Sequence, residues 1–303
     1  MTFKEVEDAR IVYRQKCNKA TLVCILIFVI LAFVLSLLSP FFLIWFGVFY
    51  LIIAIAITSF TTRKEYQQYK SSYKAYFVAA SLAKVFTNIK YDHNTGLNPN
   101  IVRYAMTTAD RYSSNDYMTA TYKKINFTQA DVHIEEEHTS TDSDGHTTTY
   151  YVTIFKGRFL VFDFNRNFTT NLQVASRRFY GSRLFHSANH LKFERIKTES
   201  NEFNKNFRIF AEDGVDALYI LDPAFMEKIE QLYHDCGHEI LLTFINKKVY
   251  IAINDGKDSL EPPKSTRKPL DEQTELEKVQ KDILVITNFV DSLDLDRYFK
   301  EQK

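Results

Sequence analysis

The dominant pattern in the sequence is a long apolar stretch near the start of the chain. From Ala20 to Phe60, 41 residues include no Asp, Glu, Lys, Arg or His. A transmembrane helix needs about 20 consecutive apolar residues, so the stretch has room for two. Ser39-Pro40 interrupts it near the midpoint, where proline disfavours helix for itself and for its predecessor. We expect one membrane span over about 21–38 and a second over about 41–60.

The alternatives to two spans are a single buried helix, a cleaved signal peptide and a hairpin that does not fully cross the bilayer. A single long helix buried in a soluble protein would carry polar residues on a solvent face, and no such face is visible. A cleaved signal peptide would be shorter and followed by small residues at a cleavage site. The short connection at Ser39-Pro40 leaves open a hairpin that enters the bilayer without fully crossing it.

Basic residues flank the apolar stretch on both sides and indicate its orientation. Short flanks rich in Lys and Arg favour the cytoplasmic side of a membrane. Both termini are therefore expected in the cytoplasm of a multi-pass protein of the cell membrane, with residues 1–19 as an N-terminal segment. Three cysteines cannot form a disulfide framework, which agrees with a reducing compartment. The flanking residues are Lys4, Arg10, Arg14, Lys16 and Lys19 before the stretch, and Arg63, Lys64, Lys70 and Lys74 after it.

A helical stripe follows the second span within residues 61–90. Its members are spaced 3, 4, 3, 4 and 3 residues apart, which predicts a helix over about 62–89 that is either continuous with the span or separate. The stripe packs either against its own domain or against a second copy in a homo-oligomer. Lys64, Lys70 and Lys74 are candidates for contact with lipid head groups, and ordinary flanking charge is the alternative. The stripe consists of Tyr66, Tyr69, Tyr73, Tyr76, Ala80 and Ala83.

Residues 91–254 alternate between strand and helix signals, which predicts an α+β domain on the cytosolic side. Runs rich in Tyr, Val, Ile and Phe between turn residues are typical of antiparallel strands. The predicted elements are a loop over 94–100, strands over 117–127, 131–138, 149–155, 158–164, 191–197 and 217–221, a polar turn over 139–147, and a short helix over 200–207.

The clearest helix signal in this region begins at Asp222. Asp222 is a suitable N-cap, Pro223 suits the first helical position, and Gly237 suits the end of the helix. A hairpin over 239–253 follows, with its turn at Asn246-Lys247.

The last part of the chain combines a linker and a helix. Residues 255–270 are polar and hold three prolines, so we expect a linker. Residues 271–303 form the C-terminal segment, with a helix over about 271–292. Its apolar stripe is wide, which favours docking onto the sheet of its own domain, and a coiled coil with a partner is the alternative. The fold class is therefore α+β, with a two-helix transmembrane hairpin followed by a mostly antiparallel sheet flanked by helices.

Charge and glycine content exclude several function classes. Formal net charge is +1, and residues 61–303 hold 33 basic and 34 acidic residues, so a bulk nucleic-acid binder is not expected. With only 8 glycines and no glycine-rich phosphate loop, no nucleotide cofactor or other cofactor is expected.

Two groups of residues are candidate sites. Arg177, Arg178 and Arg183 lie in a segment without acidic residues that extends to His190, and arginine forks suit phosphate, so the segment is a candidate for anion or partner contact. Scattered structural arginines are the alternative. His186 and His190 are four residues apart but lack the Glu that a zinc-protease helix places after its first His.

The second group is the most metal-like part of the sequence. His234, Cys236 and His238 offer thiolate and imidazole groups of the kind that bind zinc, but no fourth ligand is visible, so a metal site is not favoured. His133, Glu135 and Glu137 would share one face of a strand, where a solvated face is the alternative to cation binding.

Several motifs resemble a known family. The chain has two N-terminal spans, a tyrosine-rich helix, Asn115-Asp116-Tyr117, the run from Ile154 to Phe159 (IFKGRF), and Asp163-Phe164-Asn165. The runs ESNEFNKNF from Glu199 and YILDPAFM from Tyr219 follow. Together these are similar to the bacterial membrane-protein family called domain of unknown function 3137. The resemblance implies an architecture and a membrane location, and it implies no catalytic residues.

The sequence favours a membrane-anchored cytosolic module that binds or scaffolds a partner. Its expected partners are the lipid bilayer and another membrane or membrane-associated protein, with a homo-oligomer as a further option. The alternatives are a membrane-surface enzyme that uses His186, His190, His234, Cys236 or His238, and a subunit of a membrane transport complex. The transport alternative is weakened because the spans hold no charged residue of the kind that marks an ion path.

Overall fold

The computed structural model describes residues 1–38, 43–107, 110–163, 170–179 and 193–293. The predicted turn at Ser39-Pro40 lies outside these residues. The chain divides into two compact units. We call residues 1–80 with 261–279 the hairpin unit, and residues 81–260 with the chain from Gln280 the sheet unit.

Long helices make up most of the hairpin unit. Helix α1 is Phe3–Leu38 and helix α2 is Leu43–Tyr73. A π-helical turn, Lys74–Val78, continues α2, and α3 (Ala79–Val85) follows it without a break. Of the two arrangements left open by the sequence, the tyrosine-rich helix is therefore continuous with the second apolar helix.

The predicted end of that helix, near residue 89, is wrong. The helix ends at Val85, and strand β1 (Thr87–Asp92) begins two residues later. Antiparallel pairing with the next strand, for example Tyr91 with Met118, supplies hydrogen bonds that a longer helix would forgo. Local periodicity cannot reveal this competition, because the partner strand lies about 30 residues further along the chain.

Among the described residues of the sheet unit, nine strands form one antiparallel sheet. Their spatial order is β1-β2-β3-β4-β9-β8-β5-β7-β6. Together with the two long apolar helices, this sheet confirms the predicted α+β class. The remaining strands are β2 (Arg111–Tyr122), β3 (Ile125–Thr141), β4 (Thr147–Asp163), β5 (Leu172–Ser176), β6 (Glu194–Ile196), β7 (Phe207–Ala211), β8 (Glu239–Ile245) and β9 (Lys248–Asn254).

Further helices accompany the sheet, and side-chain caps fix where several of them begin. Asn98, Ser200, Asp213 and Asp222 each accept a hydrogen bond from a backbone N–H in the first turn of the helix that follows. The helices are α4 (Pro99–Ala105), α5 (Asn201–Asn206), α6 (Gly214–Ile220), α7 (Pro223–Cys236) and α8 (Glu272–Ser292); α8 begins in the hairpin unit and ends in the sheet unit.

Both faces of the sheet are apolar and covered. On one face, Val132, Phe159 and Leu241 belong to a buried cluster that includes Val102 of α4. On the other face, Phe225 of α7 meets Phe244 of β8 with ring centroids 5.9 Å apart. The part of α8 that belongs to the sheet unit also covers this face, and its buried side chains are Ile283, Ile286, Phe289 and Val290.

Two element predictions in the sheet unit are wrong for local reasons. The strand predicted over 117–127 is two strands, because Lys123 and Lys124 adopt positive φ angles of 46° and 70° and turn the chain. The strand predicted over 217–221 is helix α6, because the Asp213 carboxylate accepts hydrogen bonds from the N–H groups of Val215 and Asp216. This cap outweighs the strand propensity of Leu218-Tyr219-Ile220.

Other predicted elements are confirmed. The helix after Asp222 ends at Gly237, which has a φ of +65°, and the hairpin over 239–253 turns at Asn246-Lys247. The polar turn predicted over 139–147 is shorter than expected, because β3 and β4 stay paired as far as Thr141 and Thr147. The loop predicted over 94–100 ends early, since α4 begins at Pro99.

Gly157 of β4 allows β9 to approach closely. Its φ is +154°, and a Cβ atom at this position would lie 2.0 Å from the carbonyl oxygen of Ile253. Gly256 N donates to the Lys156 carbonyl oxygen at 2.9 Å directly beside it. The backbone at this point of the sheet therefore requires glycine.

We expect Gly157→Ala to lower the free energy of unfolding by about 3 kcal/mol or more, because backbone strain and steric overlap add. Thermal and denaturant unfolding of the full chain in detergent measure the loss. Gly237→Ala is the matched control, since Gly237 also has a positive φ but no atom within 4 Å of an added Cβ, so a loss of about 1 kcal/mol is expected there. Equal losses for the two variants would contradict the steric argument.

Candidate functional site

The helices of the hairpin unit expose an unusually large apolar surface. Among the described residues, two helices are long and apolar enough to cross a membrane, and only 6% of the most apolar window of each is buried. The core helix of a soluble protein would be mostly buried. Leu26 is 55% exposed, Phe33 66%, Ile52 62% and Phe60 79%. The apolar surface therefore faces the surroundings of the protein.

Aromatic contacts join α1 and α2 within this surface. The Phe28 ring stacks on Phe46 with centroids 5.8 Å apart, and Tyr50 donates its hydroxyl to the carbonyl oxygen of Cys24 at 2.6 Å. A groove of about 520 Å³ runs between the helices, with Gly47 and Ala54 among the residues that line it. Small residues at such positions let helix backbones approach in lipid, where packing replaces the hydrophobic effect.

Glu261 holds the segment that returns to the hairpin unit. Its carboxylate lies 2.6 Å from Lys74 Nζ and 2.7 Å from Lys70 Nζ. Burial alone would raise the pKa of Glu261, but the charges and hydrogen bonds of Lys74 and Lys70 outweigh burial and lower it. The Lys74 side chain is only 1% exposed, so Glu261 neutralises a charge that water cannot reach.

Further polar contacts attach the same segment to both helices. Tyr73 donates its hydroxyl to Glu275 at 2.6 Å, and Arg14 Nη1 donates to the Arg267 carbonyl oxygen at 2.7 Å. Arg10 donates to the Thr266 carbonyl oxygen. Residues 255–271 contain no helix or strand in the described structure, yet the part from Glu261 onward is held by side chains of α1 and α2. The segment predicted as a linker is thus anchored over much of its length.

These contacts reduce the number of lysine side chains that are available to contact lipid head groups. Lys70 and Lys74 both bind Glu261, and the side chain of Lys74 has almost no exposed surface. Of the three lysines proposed from the sequence, Lys64 is the one without an ion pair to Glu261, and its contact with lipid stays a prediction.

The sheet unit buries a carboxylate at Asp131 of β3. The Asp131 side chain accepts hydrogen bonds from Ser259 N at 2.5 Å and from Ser259 Oγ at 2.7 Å. Burial, followed by the nearby charge of Asp116, raises its pKa well above the ordinary range, although Ser259 and Arg158 oppose this. Asp131 therefore ties the chain after β9 to the centre of the sheet.

Arg158 lies directly across from Asp131 on β4 and ties α8 to the same face. It donates from Nη1 to the Asp282 carbonyl oxygen at 2.7 Å, and its Nη2 lies 3.7 Å from Asp255 and 3.6 Å from the Asp282 carboxylate. The Arg158 side chain is 7% exposed, so its charge is matched inside the protein by acidic groups. We call Asp131, Arg158, Asp255, Ser259 and Asp282 the buried ion cluster.

The proposed metal ligands do not come together as a metal site. Among the described residues, no group of three or more His, Cys, Asp or Glu side chains is arranged to hold a metal ion, and this search covers His234, Cys236 and His238. Burial raises the pKa of the Cys236 thiol. Since the thiolate is the reactive and metal-binding form, Cys236 is poorly suited to either role at neutral pH.

The acidic run on β3 is engaged locally. His133 Nε2 lies 2.9 Å from Thr153 Oγ1 and 3.9 Å from Glu135, and Tyr151 donates its hydroxyl to Glu137 at 2.6 Å. His133 and Glu135 do lie on one face of β3, since the pairing with β2 is regular from Ser113 opposite His133 to Arg111 opposite Glu135, and the register shift with β4 places its extra residue on β4.

The predicted anion contact is partly within the described structure. Arg177 and Arg178 are exposed and directly follow β5. Arg183, His186 and His190 lie outside the described residues. Arg178 uses its backbone N–H to bind Glu239 Oε2 at 3.1 Å. Anion contact at these arginines stays a prediction.

The sequence analysis did not identify the charged groups that stabilise each unit from within. Glu261 lies in a proline-containing segment whose composition indicates only a loop. Arg158 carried a usable signal, because a charged residue on the same strand face as Leu160 and Phe162 is rare in a sheet core without a partner. The partner itself, at Asp282, is not visible in the sequence.

We expect Glu261→Gln to destabilise the full chain by about 3 kcal/mol, because Lys74 would keep a buried charge without an opposite one. The Lys74→Met/Glu261→Gln double variant should recover part of the loss, which a thermal melting cycle in detergent would measure. Because the folded pKa of Glu261 is lowered, its contribution is present above its ordinary pKa and is lost as pH falls. Asp163→Asn is the control, since Asp163 pairs with Lys248 at an exposed site; a loss as large as that of Glu261→Gln would contradict the role of burial.

We expect the free energy of unfolding of the Asp131→Asn variant to increase relative to that of the natural chain as pH rises. A carboxyl group with a raised folded pKa binds more protons in the folded state, so stability falls as pH rises from the ordinary carboxyl range towards the folded pKa. Asparagine keeps an acceptor for Ser259 and removes that dependence. Denaturant unfolding at acidic and neutral pH would test this, and parallel pH profiles for the two chains would contradict it.

Comparison with known proteins gives one positive result. Residues 153–295, just under half of the chain, match the family model described as a protein of unknown function (DUF3137). Neither the curated proteins nor the solved structures include a match to the chain. The matched region contains Arg158, Asp255, Ser259 and Asp282 of the buried ion cluster, whereas Asp131 precedes it. The resemblance recognised in the sequence motifs is confirmed, since residues 153–295 are similar to the DUF3137 family.

Proposed function

We propose that this protein is a membrane-anchored module whose sheet unit lies in the cytoplasm and binds or scaffolds a partner. The observation that carries the proposal is the exposed, uncharged apolar surface of α1 and α2. Residues 20–38 of α1 rise about 28 Å along the helix, close to the roughly 30 Å hydrocarbon thickness of a bilayer. An apolar surface of this length is stable in lipid and unfavourable in water.

The orientation proposed is with both termini in the cytoplasm. Five basic residues precede the first span and four follow the second, and the connection between the spans has none. This distribution supports the proposal through the positive-inside tendency of short flanking segments. A two-span anchor holds the sheet unit near the bilayer and raises its effective concentration towards other membrane-bound molecules.

An exposed apolar face on α6 supports the binding role. Val215 is 67% exposed, Leu218 41% and Tyr219 76%, and the three residues share one side of a short helix. Acidic residues border them, at Glu212, Asp213 and Asp216. Anionic lipid would repel these carboxylates, so the face suits a protein partner that presents apolar and basic side chains.

No observation favours the enzyme alternative over the binding module. His186 and His190 lie outside the described residues, His234 and His238 join no group of three or more potential metal ligands among the described residues, and burial raises the pKa of the Cys236 thiol. The transport alternative would require a path through the spans, and residues 20–60 contain no charged side chain to line one.

We expect Leu26→Arg combined with Ile52→Arg to release the chain from membranes. Each arginine at a span centre costs about 2.5–3.5 kcal/mol of insertion free energy. The fraction recovered in alkaline-washed membranes measures the effect. Leu284→Arg is the control, because Leu284 is 54% exposed on α8 and far from the apolar stretch in sequence, so this variant should stay in the membrane fraction.

Recovery of the natural chain in a detergent-free supernatant would overturn the anchoring proposal. A tag fused after Lys303 tests orientation separately: antibody should reach it only after the cells are permeabilised. Labelling of the tag on intact cells would overturn the proposed orientation while leaving the anchoring intact.

A further inference from the structure

Three arginines share one face at the end of the sheet formed by β5, β7 and β6. Arg208 lies on β7 opposite Ala175 of β5. Arg177 follows β5 and donates its backbone N–H to the Asn206 carbonyl oxygen at 2.8 Å, one residue beyond the last strand pair, Ser176 with Phe207. Arg195 lies on β6 opposite Phe210. Because strand positions two residues apart point to the same face, Arg195 is a diagonal neighbour of Arg208, a relation that spans about 7–8 Å. The backbone hydrogen bond to Asn206 brings Arg177, the first residue after β5, beside Arg208 from the other strand, and the charges of both neighbours act on Arg208.

Arg208 lies between the other two and lacks compensation within the described structure. Its Nη1 is buried and has no hydrogen-bond partner. Among the described residues, none of the three arginines forms an ion pair with a carboxylate. Burial, followed by the charges of Arg177 and Arg195, lowers the pKa of Arg208. The folded protein therefore holds like charges together beside a buried donor that costs about 1–3 kcal/mol if it stays unsatisfied.

Arg158, a buried arginine on β4 of the same sheet, is an example of a guanidinium whose charge is compensated by acidic groups of the protein. Arg158 also has one buried nitrogen, Nε, without a hydrogen-bond partner among the described residues, but its charge is matched by Asp255, by the Asp282 carboxylate and by the Asp282 carbonyl oxygen. The acceptors that Arg158 finds inside the protein are absent around Arg208 in the described chain. An anion from outside is the simplest group to supply them.

We propose that Arg177, Arg195 and Arg208 form a binding site for a phosphate group. Guanidinium forks donate pairs of parallel hydrogen bonds to phosphate oxygens, and three positive charges match a phosphomonoester dianion better than a single carboxylate. Within the described parts of the chain, the Arg177 side chain donates one long hydrogen bond, 3.4 Å from Nη1 to the Lys205 carbonyl oxygen, which leaves its other donors for a ligand.

This site differs from the anion contact expected from the sequence. Arg177 remains, and Arg195 and Arg208 join it from neighbouring strands. Arg178 is left out because its charge acts on Tyr233, which packs against Phe207 on the opposite face of β7 from Arg208. The inference goes beyond membrane anchoring and does not depend on it, since all three residues belong to the sheet unit.

The test uses the full chain in phosphatidylcholine nanodiscs and a titration with inorganic phosphate, followed by calorimetry and by the melting temperature. We expect phosphate to raise the melting temperature of the natural chain. Arg208→Met and Arg195→Gln should each lose about tenfold or more in affinity, because each removes charge-assisted hydrogen bonds. Arg178→Gln is the matched control and should bind phosphate as the natural chain does.

A second readout separates a binding role from a structural one. Without phosphate, Arg208→Met should melt no lower than the natural chain, because it removes a repelled and unsatisfied group. Phosphate affinity unchanged in Arg208→Met and Arg195→Gln would overturn the proposal, as would an equal loss in Arg178→Gln, which would indicate general surface charge.

The source of the phosphate is tested with the same protein. Phosphatidic acid added to the nanodiscs carries a phosphomonoester in a lipid head group. Competition between this lipid and inorganic phosphate, abolished in Arg195→Gln, would support the site and assign it to the membrane surface. Phosphate binding without such competition would support the site and assign it to a soluble phosphorylated ligand. Neither result bears on whether α1 and α2 span the bilayer, which the membrane-wash experiment measures.

Discussion

A helix with about twenty consecutive apolar side chains exposed on its surface is stable only in an apolar environment. This constraint applies to the hairpin unit, because Ala20–Phe60 has no charged residue and most of those of its side chains that the structure describes are exposed on α1 and α2. Burial against the rest of the chain would be the alternative in water. The described structure buries only 6% of the most apolar part of each helix, so that alternative fails.

The same helices continue beyond the apolar stretch, and there the interactions change from packing to ion pairs. Lys70 and Lys74 on the extension of α2 hold Glu261, and Arg10 and Arg14 on the extension of α1 hold backbone carbonyl groups of residues 266 and 267. Because the buried Lys74 requires an opposite charge, the segment that carries Glu261 is fixed on these helices. The hairpin unit is thus built from parts of the chain that are nearly 200 residues apart.

Much of this architecture could be predicted from local patterns. The apolar spans, the helix between Asp222 and Gly237, and the hairpin at Asn246-Lys247 each depend on signals within one element. The errors arose where a distant or competing contact decides. Strand β1 needs β2, and α6 needs the cap at Asp213, which outweighs the strand propensity of Leu218-Tyr219-Ile220. The ends of helices and strands depend on such competition more than their existence does.

Candidate sites are harder to predict from sequence than elements are, because a site is a set of residues from several elements. Arg177 stood out in the sequence because its neighbours along the chain are also basic. Its partners in space, Arg195 and Arg208, are 18 and 31 residues away, and only the antiparallel register of β5, β7 and β6 brings the three together. Likewise, nothing local connects Arg158 with Asp282, which is on a helix 124 residues later.

Arg158, which is buried, and Arg208, which is half-buried, differ in how the protein compensates their charge. The charge of Arg158 has a structural role, whereas that of Arg208 can bind a ligand. Arg158 is nearly inaccessible and is surrounded by acceptors, so the desolvation of its guanidinium is offset within the protein and its contribution is to hold α8 on the sheet. Arg208 is more accessible and meets two further arginines instead of carboxylates. A fold under selection for stability alone would gain by removing one of these like charges or by placing an acid beside them. The described structure has neither change. A bound anion would replace the electrostatic repulsion at Arg208 by attraction without altering the fold, and this is the reason to infer a ligand.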